Sequence, residues 1–153
     1  MGLPSDLTSQ HAKLDANISM MRGHLESVRP DSPGAREAFA QLQPWTQQIG
    51  EMLRGYLDAE QSGLLKQASR ILGDSLEEIS EINDHNDELI HRFELFVGTL
   101  DELGVDFGSE ESMDQLRERF QEFVSCFERH RDAERNFYTL YSTILFPSGA
   151  ATD

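Results

Sequence analysis

Between Met113 and Ile144 apolar residues return in steps of three and four, at Met113, Leu116, Phe120, Phe123 and Phe127, then at Phe137, Tyr141 and Ile144. That period is the stripe an α-helix buries. Three more segments carry the same signature. The first holds Leu7, Leu14, Ile18, Met21, Leu25 and Val28, and the second Ile49, Leu53 and Leu64. The third runs from Leu76 through Ile79, Ile82, Leu89, Phe93, Phe96 and Leu100 to Leu103. No segment alternates as a strand would. Four amphipathic helices on short connections predict an all-α, antiparallel up-down-up-down four-helix bundle, a single domain over residues 1–153 with helices about 5–29, 33–68, 75–103 and 110–146.

Helix punctuation sets those bounds. Ser5 or Asp6 can cap the first helix, and Pro30 closes it. Ser32 before Pro33 reads as a cap with proline at the first helical position, and Pro44 should kink or restart the helix that follows. Gly50, Gly55 and Gly63 loosen that helix. SLEE at residues 75–78 forms a capping box, Gly104 ends the third helix, and Ser109 or Ser112 caps the fourth.

The stripes are interrupted at a few positions by side chains that a core does not ordinarily hold. A step of four from Leu7 reaches His11. The count between Leu53 and Leu64 reaches Tyr56 and Glu60, His85 lies between Ile82 and Leu89, and in FERHRDAERNFY the stripe passes through His130 and Glu134. Alternating chain direction brings all six to one half of the bundle, at depths within a few turns of each other at about 1.5 Å rise per residue. A buried polar group without a partner costs a few kcal/mol, against a domain stability of about 5–15 kcal/mol, so a layer of six must be satisfied together. A complete hydrogen-bond network would do this, and a bound cation does it more simply.

Three imidazoles, two carboxylates and a phenol suit iron, manganese or zinc. Spacing of four stacks Tyr56 on Glu60 and His130 on Glu134, so each pair can address one centre. Six donors exceed a tetrahedral zinc site and match a dinuclear site completed by oxo, hydroxo or water ligands.

The stretches LTSQHAKL, YLDAEQSGLL, NDHNDEL and FERHRDAERNFYTLY together resemble the hemerythrin-like family, four-helix bundles that hold a non-haem di-iron centre, and the likeness spans nearly the whole chain. By position, the resemblance implies that His11 binds one iron, that His85 and His130 bind the other, and that Glu60 and Glu134 bridge them. The chain departs from the family pattern at two places. Tyr56 stands where the family has the histidine of a His-x3-Glu pair, and Leu89 where oxygen-carrying members have a second helix-three histidine. Fewer imidazoles and a phenolate make a harder donor set that favours ferric iron, which argues against reversible oxygen carriage. Glu81, one turn before His85, is a candidate for a further oxygen ligand.

The expected function is reaction with a small oxidant, hydrogen peroxide first and dioxygen or nitric oxide next, with Tyr56, Glu60 and Glu134 as the acting residues. The alternative is a module that binds or senses oxygen, nitric oxide or iron without turnover. A metal-free helical interaction protein, with the polar layer as a specificity device, is the third reading.

Charge and composition limit the partners. The chain has 28 acidic and 13 basic side chains, a formal charge of −15, and so repels phosphate backbones and anionic lipid. No apolar block has signal-peptide or membrane-spanning length, and a cytoplasmic protein is expected. The one cysteine, Cys126, excludes an internal disulfide and thiolate metal clusters, and it reads as a small apolar filler. His24 and His91 fall off their stripes and are expected at the surface. Trp45, Tyr138 and Tyr141 are expected to pack, with Tyr141 also a candidate neighbour of the metals.

Overall fold

The computed structural model describes residues 5–73, 77–104 and 109–145, the side chains of residues 5 and 6 excepted. The described residues are helical throughout apart from turns: α1 Ser5–Ser27, α2 Ala35–Ala40, α3 Leu42–Glu60, a π-helical segment Gln61–Leu65, α4 Lys66–Leu72, α5 Glu77–Leu103 and α6 Glu110–Leu145. They include no strand. α3, the π segment and α4 form one continuous run, so four long helical rods result. The expected caps at Ser5 or Asp6 and at Ser75 lie outside what is described.

α1 ends three residues before Pro30. Its terminal carbonyls are met by Arg117 of α6, whose Nε donates to Leu25 O at 2.9 Å and whose Nη2 donates to Val28 O at 2.8 Å. The expected helix opening at Ser32 and Pro33 does not form. Ser32 Oγ donates back to Arg29 O, Ala35 N–H donates to Ser32 O, and Gly34 at φ 82° reverses the backbone before the short α2. Pro44 has no N–H to continue α2, and the chain restarts at Leu42, which places Pro44 in the first turn of α3 where that N–H is not required. Gly73 at φ 92° ends α4, and Gly104 at φ 43° ends α5 with its N–H on Leu100 O. Ser109 Oγ accepts the N–H of Ser112 at 3.1 Å and caps α6, as expected.

Leu76 lies outside the described residues, and among those described the predicted stripes are buried with few exceptions. Ile144 is exposed and Leu145 takes the inner position, while Phe93, Leu103 and Tyr141 are only partly covered. The most extensive packing is α5 on α6 and α1 on α3, and the α1–α6 and α3–α5 seams are thinner. Cross-links run consistently along each neighbour. His24 stacks on Trp45 and His11 meets Tyr56 between α1 and α3. Gln43 meets Asp101 and Gln61 meets Asn83 between α3 and α5. Arg92 pairs with Glu122 and Tyr141 reaches Glu78 between α5 and α6. In each pair of links one residue number rises as the other falls. No helix among the described residues is long and apolar enough to cross a membrane.

Candidate metal centre

Glu60 is the last residue of α3, one turn beyond Tyr56, and the helix changes from α to π immediately after it. The wider π turn brings both Leu64 and Leu65 into the core. His130 and Glu134 lie one turn apart on α6. Tyr56, Glu60, His130 and Glu134 have no solvent exposure, and His11 is buried at their edge.

These groups touch. His130 Nε2 and Glu60 Oε2 share a hydrogen bond of 2.7 Å. Tyr56 Oη donates to Glu134 Oε2 at 2.9 Å and reaches Glu60 Oε2 at 3.4 Å. On the other side His11 Nε2 lies 3.2 Å from Tyr56 Oη and 3.0 Å from Glu134 Oε1, the latter in an orientation that leaves Oε1 without a hydrogen bond. Phe127 closes this side, its ring 5.9 Å from that of Tyr56 and 6.3 Å from that of His11. Outside it Arg131 lies over the Phe127 ring and pairs with Asp15.

Burial governs the protonation of the layer. It pushes the Glu134 carboxyl up to about 7, with His11 pulling it down and Glu60 pushing it further up. It raises Glu60 as well, against lowering contacts from Glu134, Asn86 and Tyr56. It lowers His130, opposed by the charge of Glu134. It holds the Tyr56 phenol far above its usual range, and the negative potentials of Glu134 and Glu60 add to that. Burial therefore favours the neutral forms of Glu60, Glu134, Tyr56 and His130.

The donor set fits a metal. Ligand atoms of Glu60, His130 and Glu134 lie within 4.8 Å of one another, so these three can hold a metal ion. Among the described residues, buried carboxylate and imidazole atoms without a hydrogen-bond partner include Glu60 Oε1, Glu134 Oε1, His130 Nδ1 and His85 Nδ1. A buried polar network ordinarily satisfies such atoms, and a cation among them does so.

Of the six residues read from the sequence, five form this contact network: His11, Tyr56, Glu60, His130 and Glu134. His85 is half-buried, its ring centroid 6.3 Å from that of His130, and it flanks the cluster rather than filling the α5 stripe. The buried polar position on α5 is Asn86, which the sequence reading missed. The signal was present, since Ile79, Ile82, Asn86, Leu89, Phe93, Phe96 and Leu100 alternate strictly in steps of three and four. Glu81 is exposed and outside the cluster. Tyr141 points its hydroxyl to Glu78 and does not reach the cluster. His91 is exposed as expected, whereas His24 is half-buried, stacked on Trp45 with centroids 3.5 Å apart and planes at 19°. Cys126 is a buried core thiol raised by burial.

No family model matches this chain, and no curated protein or solved structure matches it at a significant level.

Proposed function

We propose that the chain is an iron protein of hemerythrin-like type, an antiparallel up-down-up-down bundle whose non-haem di-iron centre reacts with a small oxidant, hydrogen peroxide first and dioxygen or nitric oxide next. The antiparallel course is supported by the opposed numbering of the cross-links along all four seams, which include Arg117 to Leu25 and His11 to Glu134 between α6 and α1. One observation carries the metal reading: two fully buried carboxylates from different helices face each other, each with an oxygen that no hydrogen bond satisfies.

Glu60 and Glu134 would hold both ions, His11 one of them, and His130 with His85 the other. An iron pair supplies redox chemistry toward peroxide when bound. The residues supply the surroundings. Tyr56, which keeps its proton beside both carboxyls while no cation is bound, would serve the centre as a ligand or as a nearby hydrogen-bond donor. Phe127 and the Asp15–Arg131 pair exclude water on the α1 side. The complete burial of Glu60, His130 and Glu134 restricts access to small molecules, which suits peroxide and diatomic gases.

Iron-loaded protein is expected to evolve oxygen from peroxide rapidly, and a Glu60→Ala variant to lose that activity. Activity no greater than that of free iron would overturn the enzymatic reading. A second reading, sensing of oxygen, nitric oxide or iron without turnover, is favoured by one feature. The centre takes His11, Tyr56 and Glu60 from the α1–α3 pair and His85, His130 and Glu134 from the α5–α6 pair, so occupancy is coupled to the thin seams between them.

A further inference from the structure

Asn86 is the one polar side chain that α5 places on its buried stripe, and it is more than nine-tenths covered. Neither its Oδ1 nor its Nδ2 has a hydrogen-bond partner. An amide has two donor hydrogens and a carbonyl oxygen, and leaving all of them unpaired in a core is costly, so an isosteric leucine would serve α5 better if packing were the only demand. The Glu60 carboxyl lies near enough for the Asn86 amide to act on it, lowering it against the effect of burial. Gln61, which follows Glu60, donates to Asn83 at 2.7 Å, so the turn of helix that carries Glu60 is tied to the turn of α5 that carries Asn86.

We propose that Asn86 is a positioning residue of the metal centre, its amide donating to a Glu60 carboxylate oxygen and so fixing which of the two oxygens is presented to the metal. A neutral donor suits this place. The layer already carries two carboxylates, and an aspartate here would add a third buried negative charge, while a lysine or arginine would compete with the cation. The inference rests on the metal-centre reading above and extends it to a residue outside the histidine and carboxylate set.

The test compares the full chain with Asn86→Leu by calorimetric titration of Fe(II) under anaerobic conditions, by the d–d spectrum of the Co(II)-loaded protein, and by thermal melting of the metal-free form. Asn86→Leu is expected to bind Fe(II) about 10–100-fold more weakly, to shift the Co(II) bands, and to melt at the same or a higher temperature when metal-free, because an unpaired amide has been removed. A purely structural asparagine gives the opposite pattern, a lower metal-free melting temperature with unchanged affinity and spectrum, and that result overturns the proposal. Asn86→Ala, which introduces no added volume, carries the same affinity and spectral comparison if leucine is not accommodated. Absence of metal binding by the unaltered chain would overturn the metal reading itself, whereas equal binding by both proteins would overturn only the role of Asn86.

Discussion

Tyr56 occupies the position on which most of the proposed chemistry turns. Its hydroxyl joins His11, Glu134 and Glu60, and without a cation it cannot ionise, because burial and two neighbouring carboxyls hold the phenol well above its usual range. Ferric iron changes that balance by supplying positive charge at the same spot. Iron-loaded protein is therefore expected to show an intense visible phenolate-to-iron band that Tyr56→Phe removes. An unchanged spectrum would keep Tyr56 as a hydrogen-bond donor only. In the metal-free protein the same substitution strips Glu134 Oε2 of its donor, and a loss of about 1–3 kcal/mol in unfolding free energy is expected, read by denaturant titration. The residue identities of the cluster were legible in the sequence because each broke an apolar stripe. Asn86 was not, because a histidine beside it drew the count one position away.

At the scale of elements, the α3-to-α4 rod shows what periodicity carries and what it omits. The sequence indicated a long helix with loosening glycines, and the rod is continuous to Leu72, beyond the expected end near residue 68. It did not indicate the π segment, since a single wide turn is set by tertiary packing of Leu64 and Leu65 and leaves no spacing rule of its own. Nor did it indicate α2, where local turn bonds at Ser32 and the left-handed Gly34 outweigh the cap-and-proline signal of Ser32 and Pro33. The glycines of the rod differ in kind. A Cβ at Gly63 would meet nothing within 4 Å, whereas one at Gly50 would approach the Phe93 ring to 3.2 Å. Gly63→Ala is expected to stabilise the protein by about 0.5–1 kcal/mol, read as a rise in melting temperature with unaltered metal content. Gly50→Ala should gain less or lose, because Phe93 must shift. A Gly63→Ala variant that melts lower would mean that the π turn depends on glycine for more than backbone freedom.

For the molecule as a whole, the buried cluster lies where two helix pairs meet, and on the proposed reading protons and metal compete for the same atoms. In metal-free protein Glu134 is raised from 4.5 to about 7 and Glu60 is raised in the same direction, so the folded state binds more protons than the unfolded chain across that interval. Their contribution to stability is complete below the ordinary carboxylate range and is lost as pH rises toward 7. For Glu134 alone it is on the order of 3 kcal/mol at most. His130, held below its ordinary 6.5, acts in the opposite sense as pH falls, so one imidazole opposes two carboxyls. The net charge of −15 adds self-repulsion at high pH in the same direction as the carboxyls. Metal-free protein is thus expected to melt higher at pH 5 than at pH 8. A bound cation instead needs the carboxylates ionised, so its stabilising effect should grow over the same range. The melting temperatures of iron-loaded and metal-free protein should diverge steadily from pH 5 to pH 8. Coincident melting at every pH would show that iron does not occupy the buried carboxylates, whereas a gap that does not change with pH would place the metal on groups other than Glu60 and Glu134.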